Sequence, residues 1–133
     1  MSDIEYLNHA ILLAAKSVEP LGCAAILVDR AGNIIAEAFN SQRNDELTAS
    51  HAEMKAIAIA NKISGRKLLG VTAYGNCEPC TMCLTALVFA GVDRIVFSKR
   101  LNEIVPPESK INIDCFDFVK KFPYQPKLEL IPL

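Results

Sequence analysis

Two short stretches constrain this chain more than any other feature: His51-Ala52-Glu53, and Pro79-Cys80-Thr81-Met82-Cys83 further along. One histidine and two cysteines offer a nitrogen and two sulfur ligands, three corners of a tetrahedral zinc site whose fourth stays open to water. Any fold the chain adopts must therefore bring the two stretches to one point. Pro79 suits a helix start, because the N–H it lacks would be unpaired there anyway. A helix beginning near Cys80 puts Cys80 and Cys83 on one face of its first turn, where the positive end of the helix dipole favours thiolates. His51 opens a second helix. Glu53, two residues on, can aim past the helix end beside the histidine only in that first turn. Placed there it is a carboxylate able to shuttle protons next to the metal.

Each residue also has a plainer reading. Cys80-x-x-Cys83 alone matches a thiol redox pair at a helix start, and Cys77-x-x-Cys80-x-x-Cys83 resembles the opening of an iron–sulfur ligand run that lacks its fourth cysteine. Cys77 as a fourth ligand would close the site into a structural zinc centre. Ser50-x-x-Glu53 is itself a capping box, in which Glu53 reaches back to the Ser50 backbone N–H. A capping box, however, needs no cysteines elsewhere, and a redox pair needs no His-x-Glu. His9 is set aside as a solvated residue on a polar helix face.

With 133 residues the chain has room for one domain, and at 51% hydrophobic and 22% charged it is globular rather than disordered. Five cysteines, two of them in the motif, do not make a disulfide framework. No apolar run is long enough to span a membrane, and Met1-Ser2-Asp3-Ile4-Glu5 lacks the basic start of a signal peptide, so the expected location is cytoplasmic. Fourteen basic against 15 acidic residues leave a net charge of −1, which counts against a polyanionic partner.

Taken in order, residues 4–18 carry Ile4, Leu7, Ile11 and Leu12 at helical spacing. Residues 23–28 form an unbroken apolar run, the pattern of a central strand, and Asp29-Arg30-Ala31-Gly32-Asn33 is a hairpin turn into an edge strand at 34–39. Ser50 is the expected N-cap of a helix ending near Asn61. Residues 62–70 read as a loop, 71–74 as a short strand and 75–79 as a turn; the helix opened by Cys80 is apolar nearly all round up to Gly91, hence buried, in part by another subunit. Residues 94–97 complete a right-handed parallel crossover. Pro106-Pro107 marks a surface loop, followed by a short helix within 113–122 and a last strand at 127–131.

These motifs, with Asn40, His51-Ala52-Glu53-Met54-Lys55-Ala56-Ile57, Cys77-Glu78-Pro79-Cys80 and Arg94-Ile95-Val96-Phe97, resemble the cytidine deaminase-like superfamily, in its branch of guanine deaminases and tRNA adenosine deaminases. The resemblance covers nearly the whole chain. It implies a three-layer α/β/α sandwich with a five-stranded mixed sheet and a homodimer. It also implies zinc on His51, Cys80 and Cys83, acid/base work by Glu53, and substrate contacts from Asn40, Ala52 and Cys80. The chain departs from the branch at Leu21-Gly22-Cys23, where a phenylalanine or valine usually precedes the glycine, and in its C-terminal segment, broken by Pro123 and Pro126 where the tRNA branch carries a basic helix. The expected substrate is a small base or nucleoside, a purine such as guanine. The alternatives are adenosine in tRNA, cytosine or cytidine, and a non-catalytic binding domain.

Overall fold

The computed structural model describes every residue except Lys110. Its helices and strands run in the order α1 (Asp3–Ala14), β1 (Ala24–Val28), β2 (Ile34–Phe39), α2 (Gln42–Asp45), α3 (Ala52–Ser64), β3 (Thr72–Cys77), α4 (Thr81–Ala90), β4 (Arg94–Lys99), α5 (Leu101–Ile104), α6 (Cys115–Val119) and β5 (Lys127–Leu130), with one 3₁₀ turn at Pro107–Ser109. The five strands form one mixed sheet ordered β2-β1-β3-β4-β5. β1 is antiparallel to β2 and β3, whereas β3, β4 and β5 run parallel.

Alternation along β1 decides which helix covers which face. Ala24, Ile26 and Val28 join Tyr74 and Val96 beneath Tyr6, Leu7 and Ala10 of α1. Ala25 and Leu27 point the other way, onto the core built by α3, α4 and α6 with Ala73, Ile95 and Phe97. Helices thus cover both faces, the expected three layers. No helix among the described residues is long and apolar enough to cross a membrane.

Several expected boundaries move. β1 is buried along its whole length but lies one strand from the edge; β3 holds the centre. β3 also continues through Gly75, Asn76 and Cys77, read above as a turn, because β4 pairs with it as far as Cys77, β1 as far as Gly75, and the Asn76 side chain bonds Ala24 N–H and the Gly22 carbonyl. The first helix ends at Ala14, earlier than residue 18, and opens with a capping box of Ser2 and Glu5 that the sequence reading missed. α3 runs on to Ser64, while the helix expected within 113–122 shrinks to five residues. The hairpin turn is as expected: Gly32 takes φ +87°, and the Asp29 carboxylate accepts the N–H groups of Ala31 and Asn33. α4 is mostly buried, with Gly91 in the left-handed C-terminal position, but Phe89 is 64% exposed.

Candidate active site

α3 and α4 both start at the rim of one cavity of about 670 Å³, whose lining includes His51, Ala52, Glu53, Cys80, Asn40 and Glu19. His51 and Cys80 are the N-cap residues of the two helices, and neither caps with its side chain, so imidazole and thiol are free to face each other. His51 replaces the expected Ser50 at the cap. Ser50 instead turns its hydroxyl toward Asp45 and closes the 41–50 loop through its carbonyl, which accepts the Ser41 N–H. The capping-box reading of Glu53 falls with it.

His51 Nδ1 lies 3.6 Å from Cys80 Sγ and 3.6 Å from Cys83 Sγ. A tetrahedral zinc with bonds of about 2.3 Å to sulfur and about 2.0–2.1 Å to nitrogen sets its N···S edges near 3.5 Å, so both of these edges are already at the spacing that ion imposes. Among the described residues they form the one group of metal-competent side chains gathered within 4.8 Å, and Cys77 is not in it. The Cys77 sulfur instead lies 2.9 Å from that of Cys23, between the ends of β1 and β3. This geometry supports the three-ligand site and not the closed centre. Hydrogen bonds from Cys83 and His51 draw the Cys80 thiol down to about 4, against the cost of its burial, whereas Cys83, the donor to Cys80, is pushed up. The Cys80 contact in turn raises His51.

Glu53 keeps one side open to the cavity but is otherwise densely enclosed. That burial pushes its carboxyl up to about 7, with hydrogen bonds from its own backbone N–H and from Cys83 pulling the other way. A carboxyl in this range takes up and gives back a proton at neutral pH.

Asn40 is buried at the cavity wall, where Oδ1 accepts the Cys23 N–H at 3.0 Å and Nδ2 donates to the Leu21 carbonyl at 2.8 Å. One amide hydrogen is left for a ligand. Ala52 is fully buried in the first turn of α3, against the same cavity. His9, read above as solvated, pairs with Glu37 at 2.6 Å, away from the site.

Two parts of the wall escaped the sequence reading. On either side of Pro106-Pro107, read as marking a surface loop, Leu101, Ile104, Val105, Ile111 and Ile113 line the cavity; so many aliphatic residues about a loop were the available signal. Buried Glu78 fastens this segment to the metal loop, accepting from Arg100 Nε at 2.7 Å and from the Leu101 N–H at 3.2 Å, while Arg100 also reaches Asp114. The second part is Glu19, whose sequence neighbourhood carries no comparable signal.

An α/β/α sheet that presents an imidazole, two thiols and a carboxylate from paired helix starts defines a class of zinc hydrolytic site, and comparison with known proteins agrees. Residues 1–99 match the family model described as the cytidine and deoxycytidylate deaminase zinc-binding region, and the chain belongs to that family. It is 40% identical over 97 residues to a tRNA-specific adenosine deaminase of Bacillus subtilis (strain 168), an alignment covering 69% of this chain and 58% of that protein. It is 34% identical over 99 residues to a probable cytosine deaminase of Schizosaccharomyces pombe, covering 71% and 59%. The chain thus spans under two thirds of the length of these relatives. Among solved structures, the X-ray structure of guanine deaminase from Bacillus subtilis superposes with a TM-score of 0.74 at 27% identity, covering 100% of this chain and 84% of that one. A structure from work on A-to-I editing by tRNA:A34 deaminases gives 0.79 at 24%, covering 97% and 99%, a likeness of fold.

Proposed function

We propose that the protein is a hydrolytic deaminase of a nucleobase or nucleoside, with a purine base such as guanine as its substrate. The observation that carries this reading is the Glu53 carboxyl set beside the His51, Cys80 and Cys83 triangle in the wall of one cavity. Zinc held on that triangle supplies an acidified water as nucleophile at neutral pH. Glu53 takes the proton from that nucleophile as it attacks the amino-bearing ring carbon, then returns protons to the ring nitrogen and to the departing ammonia. The Cys80 backbone N–H, at the start of α4, donates to the oxygen on which charge develops. Asn40, through its remaining amide hydrogen, and the buried Ala52 orient the base. The balance is water consumed, ammonia released and a ring carbonyl left behind.

The likeness to guanine deaminase over the full chain and the net charge of −1 support a small purine. Adenosine in tRNA is the second reading, favoured by the 40% identity to a protein of that name. Cytosine follows from the Schizosaccharomyces relative. Nothing favours a domain that binds without turnover, since each position of the reaction is filled by a competent residue. A cytoplasmic homodimer completes the proposal; Ile63 and Phe89, both more than half exposed on α3 and α4, are consistent with a covered face, and equilibrium sedimentation tests it. The deciding experiment compares ammonia release from guanine, cytosine, adenosine and an adenosine-bearing anticodon stem-loop at one salt concentration. Turnover of guanine above the others supports the reading, and a stem-loop turned over far better than any free base or nucleoside replaces it with the tRNA alternative.

A further inference from the structure

Two acceptor atoms in the wall of the same cavity have no hydrogen-bond partner although they are closed off from solvent: Glu19 Oε2 and Gln42 Oε1. The Glu19 side chain is only 8% exposed. Its other oxygen accepts the Arg43 backbone N–H at 3.3 Å, and the Arg43 Nε stands 3.6 Å from Oε2, beyond hydrogen-bond reach. The Arg43 charge is near, but a buried acceptor left without a hydrogen bond still costs stability, yet the backbone around it is firmly held. Ser17 Oγ donates to the Asn40 carbonyl at 2.9 Å, the Glu19 N–H returns to Ser17 Oγ at 3.2 Å, and Asn40 Nδ2 holds the Leu21 carbonyl. A fixed carboxylate with an unused oxygen beside a cavity is arranged for a donor that arrives with the ligand.

We propose that Glu19, assisted by Gln42, is a specificity-determining residue that accepts a hydrogen bond from a donor on the substrate remote from the reacting carbon. Glu19 reaches the cavity from the segment between α1 and β1, whereas Glu53 reaches it from the first turn of α3. The chemical class is a neutral group bearing N–H or O–H: the imidazole-ring N–H of a free purine, or a sugar hydroxyl of a nucleoside. Sites built to bond such a donor reject analogues lacking it, because the buried acceptor is then stranded. This inference rests on the proposed function for the identity of the base.

The test is a thermodynamic cycle of equilibrium binding to the zinc-loaded Glu53→Gln protein, which does not consume its ligands. Guanine is compared with 9-methylguanine, which lacks the ring N–H, and guanosine with 2′,3′-dideoxyguanosine, each with Glu19 intact and with Glu19→Gln. For one of the two pairs, Glu19→Gln should weaken the donor-bearing ligand by about tenfold and leave the donor-deleted one unchanged. The guanine pair identifies the ring N–H and the guanosine pair the sugar hydroxyl. Equal effects within both pairs, or binding of none of the four, overturns the inference. If Glu19 served only to anchor Arg43, Glu19→Ala would lower the melting temperature and spare the ligand selectivity, which also overturns it. Ammonia release by the wild-type protein is scored separately: turnover without coupling at Glu19 leaves the proposed function standing, and coupling without turnover leaves this inference standing.

Discussion

The molecule contains two polar clusters of similar size on different parts of the sheet, and they are built on opposite principles. In the first, Arg94 of β4 donates to both oxygens of Asp3 at the start of α1, at 2.9 and 2.7 Å, and to Glu129 of β5; the Tyr74 hydroxyl donates to Asp3 at 2.6 Å. Every charge there is answered from within the chain. In the second, the donor atoms of His51, Cys80 and Cys83 gather within 4.8 Å with the Glu53 carboxyl beside them, and Glu19 adds, in the same cavity wall, a carboxylate oxygen without a hydrogen-bond partner. A cluster that satisfies itself ties α1, β3, β4 and β5 together. A cluster that does not is completed by something other than the chain.

Substitutions in the two clusters should therefore have opposite signatures. Cys80→Ser gives the largest effect: metal analysis should fall from one zinc per chain to well below it, and ammonia release to the buffer background. The fold should survive, since Cys80 is only half-buried and makes no cap bond.

Arg94→Met should do the reverse, costing about 1–2 kcal/mol in urea denaturation while leaving turnover intact, the figure kept low because the partners are part-exposed. The same variant sharpens the contrast through pH. Arg94 holds both Asp3 and Glu129 below their ordinary values of 3.8 and 4.5. Their contribution is complete above roughly pH 5 and is lost as pH falls through the lowered folded-state values, because the unfolded chain then binds more protons. Wild-type stability should decline on acidification more steeply than that of Arg94→Met. Parallel curves would contradict the account.

Ser2→Ala removes the capping box of α1 and should cost about 1 kcal/mol without changing the zinc content. The smallest effect belongs to Cys77→Ala, which should retain one zinc per chain; loss of zinc would restore the closed four-ligand site, and a coloured, iron-containing protein would remove both.

The two clusters also differ in how far the sequence revealed them. The metal site was legible because its chemistry ties spacing to structure: ligands three apart, a proline before them and a His-x-Glu can converge only at helix starts. The Arg94 cluster was not, since its members come from positions 3, 74, 94 and 129 and each alone reads as an ordinary polar residue. The same limit hid Glu19, whose role depends on where the segment 15–23 is pinned by Asn40. Local composition misled where tertiary pairing overrode it. Gly75-Asn76-Cys77 has turn chemistry, but pairing with β4 through Cys77 and with β1 at Gly75 keeps it extended. Ser50 is the better intrinsic cap, yet it is occupied with Asp45, and His51 takes the position. The resemblance to deaminases foresaw the sandwich and the mixed sheet, but not that Leu101, Ile104, Val105, Ile111 and Ile113 would wall the cavity.

The most direct measurement of the central claim is made on Glu53→Gln, prepared beside the wild type, with zinc content and ammonia release read on the same samples. The account predicts one zinc per chain in both and release slowed by about 10²–10⁴-fold in the variant, because the triangle keeps the metal while the proton shuttle is gone. Release at the wild-type rate with zinc retained would show that the carboxylate takes no part in the chemistry and would contradict it.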